Sequence, residues 1–296
     1  MLSPADLGKR SALLQAVRRF FHARDYLEAD TPVRLPALIP EAEIQPLRSE
    51  DRFLQTSPEL CMKRLLANGC ERLFQICHCF RKGERGRLHQ EEFTLLEWYQ
   101  TGWSYAELMT ECEELVRSLA RFCADQGWQP LPAWAAQPEP WPRLTVADAF
   151  QQFTGLAAEE AVRQGSFDLL LVEKVEPELA RMGAAFLCDY PIALAALARP
   201  KQEEPAVAER VELYINGIEL ANGFSELTDA AVQQRRFQAE MAKAGISSSL
   251  MPEKFLRALA RLPDCAGIAL GLDRLFMLLL GRSSLAEALP LADEDL

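Results

Sequence analysis

Residues 209–227 read ERVELYINGIELANGFSEL, and Asn216-Gly217 at their centre is the pair favoured by a two-residue turn with positive φ at both positions. The alternation on either side predicts an antiparallel hairpin. If Ile215 pairs with Ile218, then Tyr214 faces Glu219 and Glu212 faces Ala221. Glu212 and Glu219 would share one sheet face as diagonal neighbours, about 7–8 Å apart at Cβ. Two carboxylates so placed can hold a divalent cation between them. A solvated pair of surface acids is the plainer reading of the hairpin alone.

Further along, CAGIALGLDRLFMLLLG (265–281) reads as a buried strand running into a helix, after helices near 229–243 and 252–261. Gly267 and Gly271 let a ligand approach the backbone, Arg274 lies in the helix's first turn, and Gly281 ends it. Upstream, strands over about 72–81 and 92–100 flank the charged loop RKGERGRLHQE (81–91). Alternation puts Phe93, Leu95, Glu97 and Tyr99 on one face, with Arg81 aimed at the same crevice. An aromatic ring and a carboxylate there can stack a base and pair with an amine, and a planar guanidinium suits a phosphate or carboxylate. A charged edge over ordinary core aromatics is the other reading of that strand.

Residues 3–24 form an amphipathic helix opening at Ser3-Pro4, with Leu7, Leu14, Val17, Phe20 and Phe21 on its apolar side. Tyr26 and Leu27 begin an extended segment that Pro32 stops. TSPELCMKRLLANG (56–69) reads as a capped helix, with Ser57 as N-cap, Pro58 at N1, Glu59 in the first turn and Gly69 as the stop. Residues 104–126 are strongly helical, 128–142 make a proline-rich connector, and 145–200 read as mostly helix with an Ala-rich end. The stretch from about 104 to 200 carries no chemical signature and reads as a helical insertion in a single domain spanning 1–296.

The formal charge of −11 argues against sequence-independent grip on phosphate backbones. Eight cysteines show no repeated CxxC spacing, and no secretory leader pattern opens the chain, so a cytoplasmic protein with reduced thiols is expected. In LFQICHCF, alternation separates Cys77 and Cys79 from His78, against a three-residue metal clamp. No apolar run approaches the ~18 residues of a membrane span. Neither GxxxxGK[ST] nor GxGxxG is present, so the nucleotide site would be neither P-loop nor Rossmann. Taken together, the arginines, acids, glycines and aromatic are the parts needed to activate a carboxylate with ATP and Mg²⁺.

Arg81 with HQEEFTLLEWY, the upstream TSPE, ELANGFSEL and GIALGLDRL resemble the three motifs of class II aminoacyl-tRNA synthetases in their lysyl form. The resemblance runs from about residue 8 to 290 and extends to a short paralogue group that attaches (R)-β-lysine to a lysine of elongation factor P. It implies an α+β fold with an antiparallel sheet flanked by helices, a homodimer built on the first helix and the segment through Pro32, and no anticodon-binding domain. Ser57, Pro58 and Glu59 would line the amino-acid site. Arg81 would bind the α-phosphate and substrate carboxylate, and Phe93 and Arg274 would sandwich adenine, making Arg81 and Arg274 the catalytic pair. Lys82, Gly83, Glu84, His89, Gln90, Glu219, Leu220 and Gly271 would complete the ATP site. Glu97, Tyr99 and Glu226 would receive the substrate's side-chain ammonium beside Asn222 and Phe224, and Glu212 and Glu219 would hold Mg²⁺.

Ala269 stands where the synthetase has glycine and the paralogue alanine; the added methyl would alter which lysine isomer fits. Strict alternation from Glu219 would turn Asn222, Phe224 and Glu226 away from the metal acids, so one site requires a bulge, for which Gly223 is the candidate. Arg81-Lys82-Gly83-Glu84 replaces the family's Arg-Asn-Glu, Gln90-Glu91 replaces Asn-Pro, and Ser225 replaces a histidine. A synthetase-like core charging tRNA and a silent amino-acid-binding paralogue are the competing readings.

Overall fold

The computed structural model describes residues 1–195, 197–292 and 295. Helix α1 (Pro4–His22) leads into short strands β1 (Leu27–Glu28), β2 (Arg34–Leu35), β3 (Arg48–Ser49) and β4 (Arg52–Leu54). Helix α2 (Glu59–Leu66) precedes the long strands β5 (Arg72–Phe80) and β6 (Glu92–Thr101), and α3 (Tyr105–Asp125) follows them. The middle of the chain holds α4 (Ala133–Ala136), β7 (Arg143–Thr145), α5 (Val146–Thr154), α6 (Ala158–Gln164), α7 (Phe167–Leu170), α8 (Glu176–Met182) and β8 (Ala184–Pro191). Then come the hairpin β9 (Val207–Ile215) and β10 (Ile218–Ser225), helices α9 (Ala230–Ala244) and α10 (Glu253–Leu259), and β11 (Cys265–Gly271) running into α11 (Leu272–Leu279).

Eight strands form the main sheet in the order β1-β5-β6-β11-β10-β9-β8-β7, and β2-β4-β3 make a small second one. The six inner strands are antiparallel as expected, whereas the edge strands β1 and β7 pair in parallel with β5 and β8. Parity divides the sheet into two faces. Leu96 and Trp98, Ala266, Ile268 and Leu270, and Val211, Leu213 and Ile215 turn to the core shared with α1 and α3. There Phe21 stacks on Phe74 at 4.7 Å. The buried Glu111 carboxylate accepts from Tyr26 Oη at 2.8 Å and Trp98 Nε1 at 2.9 Å, so its polar oxygen is satisfied. The opposite face carries Glu97, Tyr99, Gly267, Ala269 and Asn222, and is the floor of a cleft.

Ser3 caps α1 by accepting from Asp6 N at 3.1 Å. Leu7, placed on the apolar side by the sequence, is instead 42% exposed, because the helix's buried stripe begins at Leu13. Ser57 is not an N-cap: α2 starts at Glu59, Pro58 occupies the cap position and no side chain caps it. The region 145–200 is not helical throughout, since β8 takes up Ala184–Pro191 and joins the sheet beside β9. AAFLCDYP is covered on both faces and therefore lacks the period-two signal of a half-buried strand.

The β9–β10 turn is as read, with Asn216 at φ 51° and Gly217 at φ 74° and Ile215 opposite Ile218. The bulge is real but lies at Leu220 rather than Gly223, so Glu212 pairs with Asn222 and not with Ala221. Gly223 is in register, and glycine is required there because a Cβ would stand 2.6 Å from Ile268 Cβ and 2.8 Å from the Gly267 carbonyl oxygen. Among the described residues no helix is long and apolar enough to cross a membrane.

Gly217→Ala combines a left-handed φ with a Cβ only 2.9 Å from Ala180 Cβ and 3.1 Å from the Glu176 carbonyl oxygen. Its expected effect is a loss of about 1–3 kcal/mol, seen as a lower denaturant midpoint at unchanged slope.

Candidate active site

The cleft encloses a cavity of about 380 Å³, in the range of small-ligand pockets. Its floor is β6, β11 and β10; its walls are the 81–91 loop, the start of α2, the segment near 41–44, and Ala195 and Leu197.

One end is cationic. Arg81 lies over the Phe93 ring at 5.1 Å and faces Glu84 at 3.7 Å, while its buried Nε has no hydrogen-bond partner among the described residues. Arg274 is fixed by three bonds: Nη1 to the Glu219 carbonyl at 2.7 Å, Nε to the Leu88 carbonyl at 3.1 Å, and Nη2 to His89 Nε2 at 2.8 Å. Burial and the Arg274 charge depress the His89 pKa, so its ring is neutral and Nε2 accepts from the guanidinium. At Gly271 an added Cβ would meet Arg274 at an ordinary 3.7 Å, so the protein itself leaves the space above that backbone open.

The other end is anionic. Tyr99 Oη donates to Glu97 Oε1 at 2.5 Å, and Glu97 Oε2 is buried without a hydrogen-bond partner among the described residues. Burial first, then the Glu59 charge, push the Glu97 carboxyl well above the ordinary range. Lys63, with only 2% of its side chain exposed, forms ion pairs with both Glu59 and Glu226 and lies 5.0 Å from the Phe224 ring. Burial opposes its charge, but the two carboxylates outweigh it and hold the ammonium above the usual lysine range. Gly267 serves Tyr99 rather than a ligand: a Cβ there would sit 2.1 Å from the ring and 2.9 Å from Glu226 Oε1.

Glu212 and Glu219 share a face, Glu219 opposite Tyr214 and Glu212 two residues along. Glu212 Oε2 accepts from Tyr190 Oη at 2.5 Å and Tyr214 Oη at 2.7 Å, and Oε1 accepts from Arg210 Nη2 at 2.6 Å. One lone pair on Oε1 is left. Glu219 keeps 41% of its side-chain surface and has only a 3.8 Å pairing with Arg274. Its pKa is pushed up to about 7 by desolvation in the cleft and by the Glu212 charge. Two hard oxygen donors with like-charge repulsion to relieve suit a divalent cation such as Mg²⁺, Glu219 as the principal ligand and Glu212 contributing Oε1.

Of the sequence-derived residues, the cleft brings together Ser57, Glu59, Arg81, Glu84, His89, Gln90, Phe93, Glu97, Tyr99, Glu219, Leu220, Asn222, Phe224, Ala269, Gly271 and Arg274. Pro58, Lys82 and Gly83 do not line it. Pro58 is buried; Lys82 N–H bonds the Gln45 carbonyl at 2.7 Å, and Gly83 N–H bonds Glu91 Oε1 at 2.6 Å. Glu212 and Glu226 stand one layer behind the wall, each buried. Four further residues escaped the sequence reading: Lys63, Arg210, Tyr190 and Glu41. Only Lys63 had a signal, its i,i+4 spacing from Glu59. Tyr190 reaches Glu212's face because the β8–β9 register shifts between Cys188 and Tyr190, where Asp189, at φ 64°, stands against two residues of β9.

An antiparallel sheet carrying an arginine pair at one end of its cleft and buried acids at the other is the architecture of an amino-acid-activating ligase. The family of class II tRNA synthetases (D, K and N) matches residues 4–294, and the chain belongs to it; ATP use comes with that membership. Among similar proteins, the elongation factor P–(R)-β-lysine ligase of Salmonella gallinarum (strain 287/91 / NCTC 13346) is 39% identical over 307 residues, covering 96% of this chain and 94% of that protein. Proteins with the same name from Salmonella dublin and Salmonella paratyphi B (strain ATCC BAA-1250 / SPB7) are 38% identical over 310 residues, with the same coverage.

A carboxyl with a raised folded-state pKa contributes stability that is whole below its unfolded value and is lost as pH rises from there through the folded value. Glu97 is such a group, so Glu97→Gln is expected to stabilise the ligand-free protein increasingly from pH 5 to pH 8. Thermal unfolding should show a gain of about 2–4 °C at the upper end and a shallower pH dependence than the unsubstituted chain.

Proposed function

We propose that the chain condenses (R)-β-lysine with ATP to an acyl-adenylate and transfers the acyl group to a lysine ε-amine of elongation factor P. The observation that carries this is the two-ended cleft. Glu59, Glu97 and Glu226 set three carboxyl groups against the single Lys63 ammonium, so the ammonium of a diamino acid would meet more acids than Lys63 satisfies and favour their ionised form. At the cationic end, Arg81 has a free buried N–H for that acid's carboxylate.

In the first step the substrate carboxylate, already anionic, attacks the α-phosphorus, and pyrophosphate leaves. Arg81 and Arg274 would neutralise the charge developing on the phosphate oxygens. Mg²⁺ held by Glu219 and Glu212 would neutralise phosphate charge further when bound. Phe93 and Arg274 would flank adenine, and Glu84 takes the place of the displaced family glutamate: Gly83 turns out to Glu91 at φ 80°, whereas Glu84 lines the cleft. Asn222, with a buried unpartnered Oδ1, and Ala269 would bound the lysine side chain.

The −11 charge weighs against tRNA as acceptor, and free thiols at all eight cysteines agree with a cytoplasmic setting. A homodimer is supported by exposed apolar residues beside the sheet edge, Leu27 at 60% and Val33 at 38%. Sedimentation of the native protein should give twice the chain mass, and Leu27→Asp should shift it toward the monomer.

The native protein, ATP, each lysine isomer and elongation factor P should yield acylated elongation factor P by mass, with (R)-β-lysine preferred. Arg81→Ala should lower ATP–pyrophosphate exchange by about 10²–10³-fold or more. No exchange by the native protein with any lysine isomer would defeat the proposal, and label retained on tRNA would replace its second half.

A further inference from the structure

The transfer step has a chemical requirement that activation lacks. A carboxylate is a nucleophile as it stands, but a lysine ε-ammonium, with an ordinary pKa of about 10.4, has no lone pair at neutral pH until a base removes a proton. Most acid–base groups of the cleft are committed elsewhere. Glu59 is paired with Lys63, Glu97 holds Tyr99, Glu84 faces Arg81, His89 is bonded to Arg274, and Glu219 belongs to the metal pair.

Glu41 is left. It lines the same cleft as Arg81 and Ser57, and its carboxylate makes no hydrogen bond or ion pair among the described residues. Its segment is pinned at the cleft rim: Ala42 N–H bonds Glu240 Oε2 at 2.9 Å, Lys82 N–H bonds the Gln45 carbonyl at 2.7 Å, and solvent-facing Glu43 pairs with Lys243 at 2.6 Å. That rim and Arg81 line one cleft, so a side chain entering beside Glu41 would share it with an acyl group held at Arg81.

We infer that Glu41 is the general base of acyl transfer, taking the proton from the acceptor lysine's ε-ammonium. The inference rests on the two-step ligase reading above. The Glu41 carboxylate accepts one proton and the freed nitrogen lone pair attacks the adenylate's carbonyl carbon. A C–N bond forms, the C–O bond to phosphate breaks with its electron pair leaving on AMP, and the nitrogen's second proton goes to the departing phosphate. The electrostatics agree. Burial, then Glu59 of α2, push the Glu41 carboxyl up to about 7, with Glu240 of α9 adding to them and Arg81 and Arg210 of β9 opposing. A base with a pKa near the working pH is the effective one.

The test separates the half-reactions in the full-length protein. Glu41→Gln should keep ATP–pyrophosphate exchange within about twofold while single-turnover transfer from preformed enzyme-bound adenylate to elongation factor P slows about 10²–10⁴-fold. The rise of the transfer rate through pH 7 should disappear, and Glu41→Asp should restore part of both. Hydroxylamine, an amine already unprotonated at neutral pH, should capture the adenylate equally fast in Glu41→Gln and native protein. Exchange falling as far as transfer would assign Glu41 to amino-acid binding and overturn the inference. So would an unchanged transfer rate and pH profile, or hydroxylamine capture slowed as much as protein transfer. Absence of exchange in the native protein would instead remove the two-step reading on which the inference stands.

Discussion

The bulge at Leu220 is the constraint on which the cleft depends. Without it, strand parity would hold Glu219 on the cleft face and turn Asn222 and Phe224 into the core packed by α3. One extra residue reverses that parity midway along β10, so Glu219, Asn222 and Phe224 all point into the cleft. The bulge also sets the pairing of Glu212 with Asn222, and a second register shift, between β8 and β9 at Asp189, swings Tyr190 toward Glu212. Two local faults in the ladders on either side of β9 thus assemble a single polar face.

Such a face is expensive to fold. Glu97, Glu212 and Glu226 are nearly inaccessible to water, and each brings a charge or polar oxygen out of solvent. The structure handles them differently. Glu212 is given three donors, Glu226 an ammonium partner with Oε1 left without a hydrogen bond, and Glu97 only Tyr99, with Oε2 left likewise among the described residues. Three donors fix how the Glu212 carboxylate points, whereas the unpartnered oxygens of Glu97 and Glu226 keep the capacity to accept a further hydrogen bond. The stability forgone at Glu97 is supplied by the opposite face, where Phe21, Phe74 and Trp98 pack on one another.

Much of this was legible in the sequence because it is local. Asn216-Gly217 determines the hairpin, alternation in EFTLLEWY sorts Glu97 and Tyr99 from Leu96 and Trp98, and the need for a bulge follows from parity once the family resemblance puts Glu219, Asn222 and Phe224 in one site. Its position was not legible, since Gly223 offers the same backbone freedom and was instead selected by the nearness of Ile268. Lys63 reads as one more basic residue on an amphipathic helix until the chain's return brings Glu226 against it. Strand β8 was hidden because burial on both faces erases periodicity, and Ala-rich flanks mimic a helix.

The region read as an insertion without chemistry is therefore part of the site's support. Its last strand provides Tyr190, its helix α8 presses on the β9–β10 turn at Gly217, and the carbonyl of Leu194 fixes Arg210 at 2.6 Å. Arg210 and Tyr190 both terminate on Glu212. The orientation of that carboxylate, and through it the electrostatics at Glu219, is set by Tyr190, which stands behind the cleft, and by Arg210, which lines it, and neither belongs to the motifs named above. What a motif specifies is which side chains meet the ligand. Where their charges point is decided by the packing behind them, and that packing is drawn from the stretch of chain with the least distinctive sequence.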